Sequence, residues 1–526
     1  MSTYRILDCT LRDGGYYTDW DFEEPVVRAY FDGVSKLPIA AFEVGYCNDP
    51  QPGYRGEWCY LGADRLRWVR SKLRDDQVLA VMLDVKDVSV DRVRPLLGDL
   101  VGVVDMVRMA VAPKDFPKGL ALAAELKAMG FAVGFNTMYL SKYGEDLAEL
   151  EPLLAGPEHI DVLALVDSYG GCSPAEVAAK VTKARAMFPG IEIGYHGHDN
   201  TCLAYANALA AIEAGAAVID STFVGMGRGA GNTRTEMMIV HKLMDGEADG
   251  RALDAAAPIV AEFERLRDQY GWGTNFPYML SGATSLPQKD VMDWLGKRRY
   301  SPVAVIRALQ AQGGGAIDAA VYPDLRPNNL PENAADRVVV IGGGPSVRRH
   351  LDAIRRFVDR TGAVVVHANT VYQSLVGKVG GAELLCLPGH AVEHLPEDFD
   401  ASGLVGMVVP EAPRFEGTVP DQAPCPIYQA APFGPIEGER IGPVSDIGPL
   451  ALAAGAARAL SARTFYLVGF DGYDNATVAE QELASEIQAT INRLRDETTL
   501  DVVSITPTRY RLPVRSVYVE AEMAGA

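Results

Sequence analysis

Eight short β-branched, apolar segments alternate with amphipathic stretches through the N-terminal part of the chain, and this beat constrains the fold more than any other feature. The segments are Arg5–Cys9, Ala41–Gly45, Val78–Leu83, Val103–Met109, Phe131–Asn136, Ile160–Val166, Ile191–His196 and Ala217–Thr222. They recur roughly every 25–37 residues, the length of a strand plus a returning helix. Gly119–Met129, Pro174–Met187 and Cys202–Ala214 carry helical periodicity between them. Eight β/α units in a row predict an α/β protein closed as a TIM (β/α)8 barrel more readily than an open doubly wound sheet. The barrel is expected over residues 1–245 and a helical extension over residues 246–312. Gly313-Gly314-Gly315 and the Pro- and Asn-rich stretch Tyr322–Asn333 mark a linker at 313–336. A second α/β pattern fills residues 337–526, with strands at Val338–Ile341, Ala363–Val366, Leu384–Leu387, Val405–Val409, Thr464–Val468 and Val502–Ile505. Its first strand runs into a helix from Val347 to Arg360, as a Rossmann-like domain would.

Bulk properties remove some classes of function. A net charge of −20 offers no basic surface to a polyphosphate, so no nucleic-acid partner is expected. No apolar run approaches the ~20 residues that span a bilayer, and Met1–Ile6 lacks the regions of a signal peptide, so no membrane association is expected. Seven scattered cysteines without paired zinc-type spacing read as reduced thiols in a cytoplasmic protein. A homo-oligomer is expected.

Catalytic groups of a TIM barrel sit at the C-terminal ends of its strands. Polar residues gather at those ends here: Asp8 to Gly15, Glu43 to Tyr46, Arg108, Asn136, Asp167 to Gly171, His196 to Asn200, and Gly225 to Asn232. His196 and His198 are two apart on a strand and share a face. With Asp13 they make a two-His-one-carboxylate set that leaves positions open for substrate. Such a set suits Mn²⁺ or Mg²⁺, with Zn²⁺ and Co²⁺ as alternatives, acting as a Lewis acid on a carbonyl. Arg12, beside Asp13, is placed either to form a salt bridge in the barrel mouth or to hold an enolate oxygen. Glu43 and Asp167 are candidate anchors for Arg12 and the histidines. Asn232 closes a glycine-rich loop and is positioned to coordinate the metal directly or through water.

Leu7-Asp8-Cys9-Thr10-Leu11-Arg12-Asp13-Gly14-Gly15, His196-Gly197-His198-Asp199-Asn200 and Gly225-Met226-Gly227-Arg228-Gly229-Ala230-Gly231-Asn232-Thr233 together resemble the DRE-TIM metallolyase superfamily over residues 1–300. That group includes 4-hydroxy-2-oxovalerate aldolase, hydroxymethylglutaryl-CoA lyase and isopropylmalate synthase. The resemblance implies that Asp13, His196 and His198 bind the metal, that Asn232 adds a ligand, and that Arg12 stabilises the enolate. Val107-Arg108-Met109-Ala110 and the glycine-rich loop are most similar to the hydroxy-oxovalerate aldolases. Those carry a histidine as base shortly after the Arg-Asp-Gly, where this chain has Tyr16-Tyr17. Tyr16, Tyr17 and Tyr278 are then the candidate proton carriers, with a metal-bound water as the alternative. The resemblance implies a 2-oxo acid and an aldehyde as substrates. The alternative is a Claisen-type synthase that joins an acyl-CoA donor to a 2-oxo acid.

In the second domain, Gly342-Gly343-Gly344-Pro345-Ser346 links a strand to a helix, a geometry that turns backbone N–H groups towards an anion. Gly342, Gly344 and Ser346 are the candidate contacts. This turn, with His367-Ala368-Asn369-Thr370 and Val468-Gly469-Phe470-Asp471-Gly472, resembles the nucleotide-handling domain of the hydroxymethylpterin diphosphokinase-like family and bacterial glycan-modifying transferases, over residues 335–510. The resemblance implies a nucleotide, a nucleotide-sugar or another phosphate-bearing ligand; the coexistence of the two domains adds, as an alternative, a bifunctional enzyme of surface-polysaccharide or specialised-metabolite synthesis.

Overall fold

β1 (Arg5–Asp8), β2 (Ala41–Tyr46), β3 (Val78–Asp84), β4 (Met106–Val111), β5 (Ala132–Thr137), β6 (Val162–Asp167), β7 (Glu192–Gly197) and β8 (Val218–Ser221) form a closed parallel barrel. Closure comes from β1, which pairs with both β2 and β8, so the open-sheet alternative for this region is excluded. The computed structural model describes residues 4–296, 300, 302–312, 317–331, 336–370, 378–389, 391–395, 399–420, 422–433, 440–441, 444–445, 448–474 and 476–524. It divides into two units, Met1–Met292 and Asp293–Ala526. Gly313-Gly314-Gly315 lie outside the described residues.

Side-chain alternation separates two environments within each barrel strand. Phe42, Val44, Val107, Met109, Tyr195 and Ile219 point outwards into the large core shared with the helices. The residues between them, Glu43, Arg108, His196 and Asp220, point into the barrel, each at most 3% exposed. Leu7, Val162 and Val218 form a small apolar cluster of their own. The barrel interior therefore carries an ionic layer as well as an apolar one. Gly134 makes room for it: a Cβ there would lie 2.6 Å from Cγ of Arg108, its neighbour across the β4–β5 pair.

Local signals explain several boundaries. The helix Pro174–Met187 starts where expected, with Pro at its first position and a reciprocal capping box between Ser173 and Glu176. β4 begins at Met106 rather than Val103, because Gly102 takes a left-handed turn with φ of 78° between Val101 and Val104. Arg12 and Asp13 do not lie in a loop. They sit in a helix, Thr10–Thr18, that follows β1 after a single residue.

In the second unit, β9 (Arg337–Ile341), β10 (Val364–His367), β11 (Glu383–Cys386), β12 (Leu404–Pro410), β13 (Ile427–Ala430), β14 (Thr464–Val468) and β15 (Asp501–Ser504) make one parallel sheet, ordered β13-β12-β11-β10-β9-β14-β15. Val338, Val340, Val364 and Val366 pack on one side with the helices Pro449–Ala459 and Val478–Glu497. Val339, Ile341 and Val365 pack on the other with Leu351–Thr361 and Val517–Met523. β13 was not read from the sequence; its four residues are half-buried apart from Ala430 and form no apolar run. The helix expected from Val347 to Arg360 is broken at His350 into Ser346–Arg349 and Leu351–Thr361. No helix among the described residues is long and apolar enough to cross a membrane. All seven cysteines are unpaired.

Candidate active site

The site grows from the ionic layer. Glu43 accepts from Nε of Arg12 and, through its other oxygen, from Nη1 of Arg108 at 3.0 Å. Arg108 donates its second arm to Oδ2 of Asp220 at 2.7 Å. The same oxygen lies 3.0 Å from Nδ1 of His196. Burial favours the neutral carboxyl at Asp220, yet Arg108 and His196 outweigh it and hold its pKa below the ordinary value. An ionised Asp220 accepts a hydrogen bond from Nδ1–H, which selects the His196 tautomer whose lone pair is at Nε2.

His198 is fixed differently. Its Nδ1 lies 3.0 Å from the main-chain carbonyl of Asp167, which can only accept. Nε2 is therefore the free acceptor here as well. Burial, then the neighbouring His196, push the His198 pKa down to about 3, so the ring is neutral at physiological pH. The Asp167 carboxylate is directed elsewhere, to the N–H groups of Gly171 and Cys172.

Asp13 completes the set. Burial opposes its charge, but the adjacent Arg12 guanidinium prevails and holds its carboxyl well below the usual range. Ligand atoms of Asp13, His196 and His198 all lie within 4.8 Å of one another. Asn232 reaches the same point because Thr233 N–H bonds to the Gly197 carbonyl and Asp199 N–H to the Gly231 carbonyl, lashing the glycine-rich loop to the end of β7. Its Nδ2 donates to Asp13, which leaves Oδ1 buried and without a partner. Gly227 permits this approach: a Cβ there would lie 2.3 Å from Asn232 Nδ2 and 2.8 Å from Asp13 Oδ2. Two imidazole nitrogens, a carboxylate and an orphaned amide oxygen fit a divalent cation. A second grouping, Cys9, His196 and Asp220, fits one poorly. Burial raises the Cys9 pKa well above its ordinary value and so disfavours the thiolate that a cation would need.

A cavity of about 60 Å³ opens beside these atoms. Arg12, Asp13, Tyr16, Tyr46, Asn136, Ser168, His196, His198 and Arg228 are among its lining residues. Tyr16 and Tyr46 hydroxyls are 3.5 Å apart. Burial, with Tyr16 adjacent, raises the Tyr46 pKa well above the ordinary value and keeps it a proton donor. Tyr17 and Tyr278 do not line the cavity. Tyr17 donates to the Gly229 carbonyl at 2.6 Å, its own hydroxyl 3.5 Å from that of Tyr278. Glu43 is fully buried behind Arg12 and reaches the cavity only through it. Sequence reading missed Asp220. The available signal was a carboxylate at an inward position of a strand otherwise filled by Val218 and Ile219.

The second unit holds a larger cavity of about 410 Å³ between the ends of β9 and β14, where the strand order reverses. Gly342 to Pro345, Asn369, Asp471, Tyr473, Glu486 and Tyr510 contribute to it. The glycine turn is closed on itself. Gly342 N–H bonds to Val468 and Gly344 N–H to Gly469, while Ser346 gives both its N–H and its hydroxyl to the Asp471 carboxylate. The helix that follows has only four residues. The donors expected to meet an anion are thus occupied within the protein.

Comparison with known proteins agrees with the barrel. The HMGL-like family profile matches residues 140–256. A 4-hydroxy-2-oxovalerate aldolase of Geobacillus thermodenitrificans is 38% identical over 49% of this chain and 75% of its own length. An oxaloacetate decarboxylase of Mycobacterium tuberculosis is 26% identical over 44% of this chain and 68% of its own. Among solved structures, the N-terminal domain of a Bacteroides vulgatus chain described as a "putative aldolase" superposes with a TM-score of 0.53 at 41% identity, covering 58% of this chain and 99% of that one. Through its barrel, the chain belongs to the HMGL-like family of DRE-TIM lyases, together with the 4-hydroxy-2-oxovalerate aldolases.

Proposed function

We propose that the barrel is a divalent-metal-dependent aldolase that makes or breaks a C–C bond next to a 2-oxo acid through its enolate. One observation carries the reading: Asp13, His196 and His198 converge on one point with both Nδ1 atoms already engaged. Asp13, His196, His198 and Asn232 Oδ1 would hold a divalent cation, Mn²⁺ or Mg²⁺ by choice of donors, which would supply Lewis-acid chemistry to a keto oxygen. The names of two relatives, hydroxy-oxovalerate aldolase and oxaloacetate decarboxylase, both describe C–C cleavage in a 2-oxo acid.

The chain's own groups do the rest. Arg12 is locked by Asp13 through Nη1 and by Glu43 through Nε, so Nη2 is left to donate to the oxygen on which enolate charge develops. Glu43 and Arg108 act through Arg12 and Asp220 as positioning residues. Tyr16, beside Tyr46 at the cavity, returns a proton to the alkoxide formed by addition and removes it in cleavage.

The test is incubation with pyruvate, Mn²⁺ and a panel of aldehydes. A new 4-hydroxy-2-oxo acid is expected by mass spectrometry, absent from Asp13→Ala. Thiol release from acetyl-CoA in place of aldol product would move the protein to the Claisen synthases.

The second unit is a Rossmann-like ligand domain on this reading. Support comes from the strand order and from the cavity at its reversal. A nucleotide or nucleotide-sugar would enter there rather than through phosphates on the glycine turn. A thermal-shift screen of nucleosides, nucleotides and nucleotide-sugars checks this; an unmoved transition with all of them removes it.

A further inference from the structure

Two guanidinium groups, Arg12 and Arg228, line the cavity at the barrel mouth and a third, Arg108, lies buried inside the barrel; the protein answers two of the three. Arg12 is met by Asp13 and Glu43, and Arg108 by Glu43 and Asp220. Arg228 meets no carboxylate among the described residues, and its Nε is buried without a hydrogen-bond partner. Leaving such a donor unpaired is costly, and a charged acceptor supplied by a ligand relieves that cost. Arg228 lines the same cavity as Asp13, His196 and His198, and its guanidinium stands 5.7 Å from the ring centre of Tyr16. Asn136 lines that cavity too, 3% exposed, with Oδ1 unpartnered. The backbone beside Arg228 is fixed: the Gly229 carbonyl accepts from Tyr17 at 2.6 Å.

We propose that Arg228 binds an anionic group on the second substrate. The preferred partner of the 2-oxo acid is then a carbonyl compound that carries its own carboxylate or phosphate. The assignment rests on the enolate reading above. In the addition direction, a methyl C–H of the 2-oxo acid gives its proton to a base. The enolate carbon pair forms the new C–C bond to the acceptor's carbonyl carbon. The acceptor's C=O π pair moves to its oxygen, which takes up a proton; cleavage is the reverse, with no redox change. Arg228 holds the acceptor's charged end on the Tyr16 side, so its carbonyl oxygen faces that hydroxyl. The acceptor's charged end is placed towards the rim of the cavity, where Tyr16 is 38% exposed.

The experiment uses full-length enzyme loaded with Mn²⁺ and compares kcat/KM within matched pairs: succinic semialdehyde against butanal, and glyceraldehyde 3-phosphate against glyceraldehyde. The wild type is expected to favour the charged member of one pair by about 10–100-fold, the range of one charge-assisted contact. The pair that shows the preference identifies carboxylate or phosphate. Arg228→Ala and Arg228→Gln should bring the ratio close to one, and Arg228→Lys should retain part of it. No charge preference in the wild type, or equal losses for both members in the variants, overturns the assignment and leaves Arg228 serving the 2-oxo acid or merely placing Tyr16. Exchange of pyruvate methyl protons without acceptor is measured alongside. Its absence from the wild type overturns the enolate reading and the proposal with it; its presence without charge preference overturns the role of Arg228 alone.

Discussion

Oδ2 of Asp220 lies 3.0 Å from Nδ1 of His196, and this contact, inside the barrel and out of reach of the cavity, decides which nitrogen of His196 faces the candidate cation. Asp220→Asn keeps the shape but withdraws the charge that holds the Nδ1 proton. Affinity for Mn²⁺ should fall by about 10–100-fold, the usual cost of losing a group that orients a metal ligand. Isothermal titration of metal-free protein measures it. Unchanged affinity would show that Asp220 serves only Arg108.

Arg12→Lys tests a different division of labour. A lysine ammonium cannot span Asp13, Glu43 and a substrate oxygen as a planar guanidinium does. Metal content should persist, since Asp13, His196 and His198 remain, while kcat drops by about 10²–10³-fold, as when a donor to a developing oxyanion is removed. Metal analysis beside steady-state kinetics separates the two quantities. Loss of metal in proportion to activity would make Arg12 a holder of Asp13 and nothing more.

Two glycines make a contrast in stability. At Gly227 an added Cβ would meet Asn232 and Asp13, so Gly227→Ala should cost about 1–3 kcal/mol by overpacking and weaken metal binding together. Gly98 has helical φ and ψ of −57° and −42° and nothing within 4 Å of an added Cβ. Gly98→Ala should stabilise by about 0.4–1 kcal/mol, through the unfolded chain alone. Denaturant titration of both variants is the check.

The barrel was legible because each strand repeats one simple contrast, apolar outward and variable inward, at a spacing only a strand plus helix satisfies. His196 and His198 stood out for the same reason, two histidines on one face of a strand end. Asp220 did not, because one aspartate among Val218, Ile219 and Ser221 looks like a strand terminus until the barrel closes and turns it towards Arg108. Arg228 was hidden by its setting: a residue between Gly227 and Gly229 reads as loop filler, and only the folded mouth shows that no carboxylate among the described residues answers it. The Gly342–Ser346 turn misled in the opposite sense. Its composition offers free N–H groups, but Asp471, more than a hundred residues later, arrives from the end of β14 to take those of Ser346. Tyr278, named as a candidate proton carrier, packs against Gly229 and does not line the cavity.

The most direct measurement follows deuterium entering the methyl group of pyruvate in D₂O, by NMR, with the protein stripped by chelator and then reloaded with Mn²⁺ or Mg²⁺. The expected result is exchange that vanishes on stripping, returns on reloading, and is lost in His198→Ala whatever metal is added. Exchange that survives stripping, or none with either ion in a protein shown to bind it, would contradict a cation held by Asp13, His196 and His198 as the seat of enolate chemistry.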